Sequence, residues 1–279
     1  MNDLHQTFLR SAAVCALFVL SVQTLFGQRQ AGSEIDADTL LRTVRDKEKD
    51  GEASKTHFTY RIFEHVQNMN EKGKKTADFT TLSEMIYLSD QPYIHRLEVN
   101  GKPLSGKALE AEQQRYDAAV KENKGFSEKQ RAEQAGGKHK EVNISLGKLL
   151  TAYDNRIVGT ETFEGTDCVV IDAMPKFSIP EAPKRHVVVW VNSKSMQMVR
   201  LAFDLIADEE DLEKGSSGWM QMKEIDGVTV DTKKHIDFRL AVKNRKKDTA
   251  RVVTDATMTD FHRFTSSLTI TVPDEPAEQ

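Results

Sequence analysis

The chain is poor in cysteine, and this limits how it can be stabilised. Its 279 residues include only Cys15 and Cys168, and Cys15 lies in the apolar run near the N-terminus. If that run is removed as a signal, Cys168 is left alone and no intramolecular disulfide can form. The surrounding CVVID stretch is apolar, which favours a buried core residue over a nucleophile. Stability must therefore come from a hydrophobic core.

Motifs for catalysis, metals or phosphate are also missing. There is no His-Glu-x-x-His, no Cys-x-x-Cys and no glycine-rich phosphate loop before a helix. His235 and Asp237 share a strand face, but two side chains are too few for a metal site. Ser145 and Lys148 match the Ser-x-x-Lys spacing of penicillin-binding enzymes, but the Ser-Asp-Asn and Lys-Thr-Gly partners are absent. We therefore expect no catalytic residue, no metal ligand, no cofactor and a non-enzymatic protein.

The chain also lacks an excess of positive charge. Its 39 basic and 43 acidic residues give a formal net charge of -4. Such a chain cannot neutralise a phosphate backbone, so nucleic acid is excluded as a partner. With 38% hydrophobic and 29% charged residues, the composition predicts a folded protein rather than a disordered one.

Residues 1–27 have the layout of a secretory signal peptide. A polar start, MNDLHQTFLR, is followed by the apolar run SAAVCALFVLSVQTLFG and the polar QRQAGSEID. A membrane-spanning helix needs about 20 apolar residues, and this run is both shorter and interrupted by polar residues. We expect cleavage near Gly27, a periplasmic or secreted bacterial protein, and a single domain over residues 28–279.

After one helix, the mature chain alternates with the period of β-strands. Asp36 is placed to cap a helix with an apolar stripe that includes Leu40, Leu41 and Val44. From residue 57 onward, strands follow one another with short polar turns between them, which predicts antiparallel neighbours. The strongest hairpin signal is the pair Asp226-Gly227, while Glu164-Gly165 separates two further strands and Asn100-Gly101 ends another.

One stretch departs from this pattern. Residues 106–141 are charged and favour helix, with a thin apolar stripe of Leu109, Tyr116 and Val120. This composition predicts a helical insertion that forms an arm or lid rather than part of the core. It could equally be a solvated hairpin with no function. A short amphipathic helix is expected over residues 142–153, leading back to the sheet.

Several strands carry one continuous apolar face. Residues 228–242 place apolar and charged side chains on opposite sides, and a strand of that length approaches about 50 Å and tends to curl. A curled sheet can either pack its apolar face against its own helices or hold an apolar ligand there. The residues expected to line a ligand-binding face are Phe58, Tyr60, Val199, Leu201, Phe203, Leu205, Ile236, Phe238 and Leu240.

Several of these stretches resemble a known family. They follow one another in this order: VNGKPLS, a charged helical insertion, YDNRIVGTETFEGTDCVVIDAMPK, VVVWVNSKSMQMVRL, EIDGVTVDTKKHIDFRL and FHRFTSS. Through this order, residues 50–268 resemble the outer-membrane lipoprotein-sorting carriers LolA and LolB. The most specific element runs from Trp190 and Val191 through a polar turn to Met198 and Arg200. The resemblance implies a mostly β (α+β) fold, in which a curved antiparallel sheet forms an incomplete β-barrel with helices over its concave face and an apolar cavity for acyl chains.

This reading leads to three functional hypotheses. The first is an exported, non-enzymatic carrier that holds lipid acyl chains or a lipidated partner against the apolar concave face. The alternative is an envelope scaffold or interaction module with a self-filled core, whose charged insertion binds an envelope protein. A hydrolase acting on lipids is a third hypothesis, and it needs a polar triad in the pocket.

Overall fold

The computed structural model describes residues 36–55, 58–88, 91–124, 145–179, 183–209, 211–241 and 249–263. The predicted signal peptide and residues 125–141 of the insertion lie outside them. Helices α1, α2 and α3 span Ala37–Lys55, Gly106–Lys124 and Leu146–Ala152. Strands β1 to β11 span, in order, Phe58–Met69, Lys75–Leu88, Gln91–Val99, Lys102–Pro103, Tyr153–Phe163, Thr166–Pro175, Arg185–Asn192, Met198–Leu205, Ser217–Ile225, Val228–Arg239 and Arg251–Arg263. None of these helices combines the length and apolar content needed to cross a membrane.

All eleven strands form one curved antiparallel sheet. Its order is β4-β3-β2-β1-β11-β10-β9-β8-β7-β6-β5, and the described strands at its two edges, β4 and β5, do not pair with each other. The sheet is therefore an unclosed barrel, which confirms the predicted mostly β fold class. The chain returns from the end of β10 to pair β11 against β1, so the last strand joins the two halves of the sheet.

The three predicted hairpin pairs adopt the backbone that a tight turn requires. Both residues of Asn100-Gly101, Glu164-Gly165 and Asp226-Gly227 have positive φ angles, between 46° and 80°. This combination matches the twist of the flanking strands in two-residue hairpins. The turn residues therefore set the register of the β3–β4, β5–β6 and β9–β10 pairs, as the sequence predicts.

Helix α1 starts at the predicted cap and covers the main core. Asp36 accepts a hydrogen bond from the Thr39 backbone N–H at 2.9 Å. Leu41 and Val44 are completely buried, and their cluster includes residues of α3 and of strands β5 to β9. The sheet face that carries this cluster is called here the inner face, and the opposite one the outer face.

Cross-strand pairing traces the inner face over nine strands. One row of directly paired residues crosses the sheet from β2 to β5 and consists of Phe79, Val66, Thr254, Ile236, Gly218, Phe203, Val187, Ala173 and Asn155. At the β5 end of the row, Asn155 donates a hydrogen bond to Asp38 of α1 at 2.8 Å. The inner face is thus one continuous surface that α1 covers only in part.

A β-bulge divides the apolar face predicted for residues 228–242. The register between β9 and β10 shifts between Asp231 and Lys233, because β10 contains one extra residue there. Before the bulge, Val228 and Val230 join a small cluster with Phe58. After it, Phe238 packs against the main core. The expectation of one continuous apolar face along this strand is therefore wrong.

The described part of the insertion lies on the outer face. On β2, Met85 pairs with Tyr60 of β1, and both side chains lie on the inner face. The next residue of β2, Ile86, pairs with Tyr93 of β3. Because successive side chains of a strand point to opposite faces, Tyr93 is on the outer face. Tyr116 of α2 packs edge-on against its ring, with centroids 5.6 Å apart. Residues 106–124 therefore form a helix, as predicted, but that helix does not cover the inner face.

A buried carboxylate holds α2 in place. Only 7% of Glu112 is exposed, and it accepts hydrogen bonds from the Tyr93 hydroxyl at 3.0 Å, the Arg96 backbone N–H at 3.1 Å and the Arg115 guanidinium at 2.7 Å. Leu109 of the predicted apolar stripe is instead 51% exposed. The helix thus docks mainly through a charged network, which an apolar periodicity does not reveal.

Candidate ligand-binding face

The inner face has two halves that differ in how they are covered. Over β5 to β9, the helices α1 and α3 bury a cluster that includes Val187, Leu201 and Phe203. This half is a closed core of the usual kind. The other half is formed by β10, β11, β1, β2 and β3, and it is called here the β1 half. Helix α1 also packs against β10 at its margin.

Although Phe58 and Ile62 on β1 are buried, several large apolar side chains on the β1 half remain partly exposed. They form two patches on the same face. The first patch consists of Ile236, Val66 and Phe79, which lie in one cross-strand row with Thr254 between Ile236 and Val66. The second consists of Met258, Tyr60, Met85 and Ile94. Among the described residues, Val66, Phe79, Met85 and Met258 belong to neither buried cluster.

A polar band separates the two apolar patches. One cross-strand row between the two patches consists of Lys234, Ala256, Glu64 and Thr81. Thr81 is buried and donates a hydrogen bond to Glu64 at 3.3 Å. Phe79 and Met85 are six residues apart on β2, so the patches lie about 20 Å apart along the strand. The β1 half is therefore amphipathic rather than uniformly apolar.

The nine residues expected to line a ligand site fall into several environments. Leu201, Phe203 and Leu205 are buried in the main core, and Phe238 packs against it. Phe58 is buried in the second cluster, with Tyr60 stacked on Phe261 at its margin, at a ring-centroid distance of 5.1 Å. Ile236 lies on the β1 half. Val199 lines a cleft at the β5–β6, β7–β8 and β9–β10 turns, and Leu240 forms an isolated antiparallel β-bridge with Leu212. Contact of any of the nine with a ligand stays a prediction.

Two clefts open outside the β1 half. One, of about 360 Å³, lies where the β5–β6, β7–β8 and β9–β10 turns meet, and its lining includes Val199, Glu164 and Gln221. The other, of about 410 Å³, lies near the β1–β2 turn and is bounded by Met69, Arg239 and Arg251 among others. Of the nine residues that the sequence suggested, Val199 lines the first cleft, and none is among the described residues that line the second.

The residues considered for catalysis have structural partners. The Ser145 hydroxyl caps α3 by accepting the Lys148 backbone N–H at 3.3 Å, so the Ser-x-x-Lys spacing marks a helix start. Burial raises the pKa of the Cys168 thiol, which disfavours the thiolate that a nucleophile needs. His235 contacts Asp255 at 2.7 Å. Within the described residues, no group of three or more histidine, cysteine or acidic side chains could hold a metal ion.

The described chain is an unclosed antiparallel barrel, with α1 and α3 on its inner face beside an amphipathic area and α2 on its outer face. No protein-family model matches the sequence, and no curated protein is similar to it. Solved structures do align with it. A putative outer membrane lipoprotein-sorting protein domain from Vibrio parahaemolyticus aligns at a TM-score of 0.37 and 9% identity, over 81% of this chain and 94% of its own.

Two further structures align over similar lengths. A DUF1329 family protein from Desulfovibrio piger has a TM-score of 0.32 and 12% identity, covering 80% of this chain and 92% of its own. A LolA superfamily protein from Nitrosomonas europaea has a TM-score of 0.30 and 8% identity, covering 81% of this chain and 94% of its own. The similar structures thus include members of the family that the sequence resembles. A likeness this loose says nothing about ligand or partner.

Proposed function

We propose that this chain is an exported carrier or binding protein, without enzymatic activity, that holds an amphipathic ligand on the β1 half of its inner face. The ligand class is lipid acyl chains or the acyl chains of a lipidated partner. Residues 1–27 direct its export, and cleavage near Gly27 releases it into the periplasm or the medium. Tyr60 and Ile236, among the predicted ligand residues, lie on this half.

The observation that supports the proposal is the partial exposure of the two apolar patches. A curved antiparallel sheet normally buries its inner face against helices, as β5 to β9 do here. Phe79 and Met85 are instead partly exposed on the same face of the same sheet. The polar band with Glu64 and Thr81 between the patches suits a ligand that has polar as well as apolar parts.

The energy available on this face suits reversible binding. At about 25 cal/mol per Å², an acyl chain that buries about 300 Å² of apolar surface gains about 7 kcal/mol. Part of that gain is lost on immobilising the ligand, so the expected affinity is moderate. A carrier needs such an affinity because it must also release its cargo.

Matched substitutions on β1 and β2 test the proposal. Phe79 lies on the inner face, whereas Phe63 lies on the outer face of the neighbouring strand and is 49% exposed. We expect Phe79→Ser to weaken binding of a fluorescent fatty acid about 10- to 150-fold, since losing a buried phenyl group costs about 1.5–3 kcal/mol. The control Phe63→Ser should leave the affinity within about twofold.

Native mass spectrometry tests the same proposal without a chosen probe. Protein purified without detergent should carry adducts that solvent extraction removes and identifies as lipid. A clean unliganded mass, together with no saturable fatty-acid binding by the wild-type chain, would refute the carrier function. Equal losses in Phe79→Ser and Phe63→Ser would refute the inner face as the site.

The docking of α2 favours one alternative. Because Glu112 anchors α2 on the outer face, the helix presents most of its charged surface to solvent and could bind an envelope protein. Deleting residues 107–140 separates the two functions. A carrier should keep its lipid affinity after the deletion, whereas an interaction module should lose its partner and show no lipid binding before or after it.

A further inference from the structure

A cationic side chain on the outer face is surrounded by aromatic rings. The guanidinium carbon of Arg200 lies 5.0 Å from the centroid of the Trp219 ring, 5.2 Å from that of Trp190 and 5.1 Å from that of Phe163. Arg200 precedes Leu201 of the inner core, so its side chain points to the outer face, where it pairs with Trp190 and Gln221. All of these side chains except that of Gln221 are partly exposed.

Arg200 has no counterion among the described residues. It makes no hydrogen bond or ion pair with any of them, and its Nε atom is shielded from solvent without an acceptor. Cation–π contacts stabilise the charge of the guanidinium but leave its N–H donors in need of an acceptor. A partly buried charge in this state is costly unless an acceptor is supplied from outside.

Two carboxylates that contact residues of the cluster, Glu161 and Glu164, are already engaged. Glu161 accepts a hydrogen bond from the Trp190 ring nitrogen at 2.9 Å. Glu164 accepts one from the Gln221 amide at 2.5 Å and lies 3.5 Å from Lys233. These contacts lower the pKa of Glu164, so it stays ionised and bound to its own partners. Neither of these two carboxylates therefore serves as the acceptor for Arg200, which leaves its donors available to a bound ligand.

The cleft of about 360 Å³ lies directly beside the aromatic cluster. Phe163 and Gln221 belong to both, and Met198 and Met222 add apolar surface to the cleft. The Ser195 hydroxyl, which also lines it, is buried and lacks a hydrogen-bond partner. The site thus offers a cation that no described residue pairs with, partly exposed aromatic surface and an adjoining partly apolar cavity.

We propose that the outer face binds an extended acidic segment of a partner protein. A carboxylate of that segment pairs with Arg200 through its planar fork of donors, and a neighbouring apolar side chain enters the cleft. Tryptophan and arginine are the residues that most often dominate protein interfaces. A phosphate or an anionic membrane matches less well, because neither ligand supplies an apolar side chain for the cleft beside Arg200.

The two tryptophans of the chain allow a direct assay. The sequence contains only two, and both flank Arg200, so fluorescence excited selectively at tryptophan reports on this site, without a contribution from the five tyrosines. The probe is a terminally blocked hexapeptide of alternating glutamate and leucine, and its control has glutamine in place of glutamate. We expect a saturable change with the glutamate peptide, at least tenfold weaker with the glutamine peptide, and weakened by added salt.

Substitutions identify the residue responsible. Arg200→Gln should weaken binding of the glutamate peptide at least tenfold, and Arg200→Lys should give an intermediate affinity because it keeps the charge but not the fork. The control Arg61→Gln removes another outer-face arginine, which is paired with Asp260 at 3.6 Å, and should leave binding unchanged. Circular dichroism of each variant shows whether the fold is retained, and Arg200→Lys serves as the test if Arg200→Gln does not fold.

Three results would overturn the proposal. The first is the absence of a saturable response to the glutamate peptide in the wild-type chain. The second is equal binding by the wild type and a folded Arg200 variant. The third is an Arg200-dependent response to inorganic phosphate or to phosphatidylglycerol vesicles without one to the peptide, which would assign the site to a different class of anion. None of these results bears on lipid binding at the inner face.

Discussion

Replacement of Gly218 by alanine tests how the inner face is packed. A Cβ atom at Gly218 would lie 2.8 Å from the His235 carbonyl oxygen and 2.9 Å from Cε1 of Phe203. Both distances are too short for a real contact, and one of the two neighbours is backbone that cannot move aside cheaply. The glycine is required for space, because the Phe203 ring lies over it while also contacting Phe238 at a ring-centroid distance of 6.4 Å.

The expected cost follows from overpacking. Inserting a methyl group into a filled core costs about 1–3 kcal/mol, so Gly218→Ala should lower the free energy of unfolding by that amount. The control is Gly147→Ala in α3, where the nearest atom to the new Cβ is the Ser145 hydroxyl at 3.9 Å. That substitution has room and favours helix, so it should raise the stability by about 0.4–1 kcal/mol.

Urea denaturation followed by circular dichroism measures both variants. In a Phe203→Leu background the Gly218→Ala penalty should shrink, because the ring contact is gone and only the clash with the His235 carbonyl remains. A Gly218→Ala chain as stable as the wild type would refute the packing described here. So would an equal penalty in both backgrounds.

Two further predictions concern charged groups. Burial alone raises the pKa of Glu112, but its hydrogen bonds from Arg115, the Arg96 N–H and Tyr93 hold that pKa below the ordinary 4.5. Docking of α2 should therefore weaken as the pH falls below 4.5, because the carboxylate becomes protonated. At pH 7, the Glu112→Gln variant should be cleaved faster by trypsin within α2. Burial lowers the pKa of His186, but the contacts with Asp172 and Asp204 outweigh this and raise the pKa above 6.5. The protonated His186 therefore stabilises the fold fully below pH 6.5, and this stabilisation is lost as the pH rises through the raised pKa. The difference in urea midpoint between wild type and His186→Gln should therefore be larger at pH 6 than at pH 9, and a constant difference would contradict this reasoning.

Local patterns predicted most of the fold because their causes lie within a few residues. Positive φ angles at Asp226-Gly227 follow from a turn that only a few residue types tolerate. The cap at Asp36 and the buried stripe with Leu41 and Val44 follow from helix geometry. Each of these features was therefore predictable from the sequence alone.

Other features depend on residues that are far apart in the sequence. The extra residue in β10 is defined only by its pairing with β9, so the alternation around Asp231 did not reveal it. The Arg200 cluster joins residues 163, 190, 200 and 219 from four strands. Glu112 was hidden for the same reason, since its partners lie on β3 and on its own helix.

The sequence by itself determined that this chain builds antiparallel strands, where most of them turn, and that it lacks the motifs of common catalytic and metal sites. Only the tertiary structure decided which apolar faces become core, that α2 lies on the outer face, and that Arg200 has no counterion in the described part of the chain. Turns and caps depend on the backbone preferences of adjacent residues. Burial and ion pairing depend on the order in which the strands assemble, which no local pattern encodes.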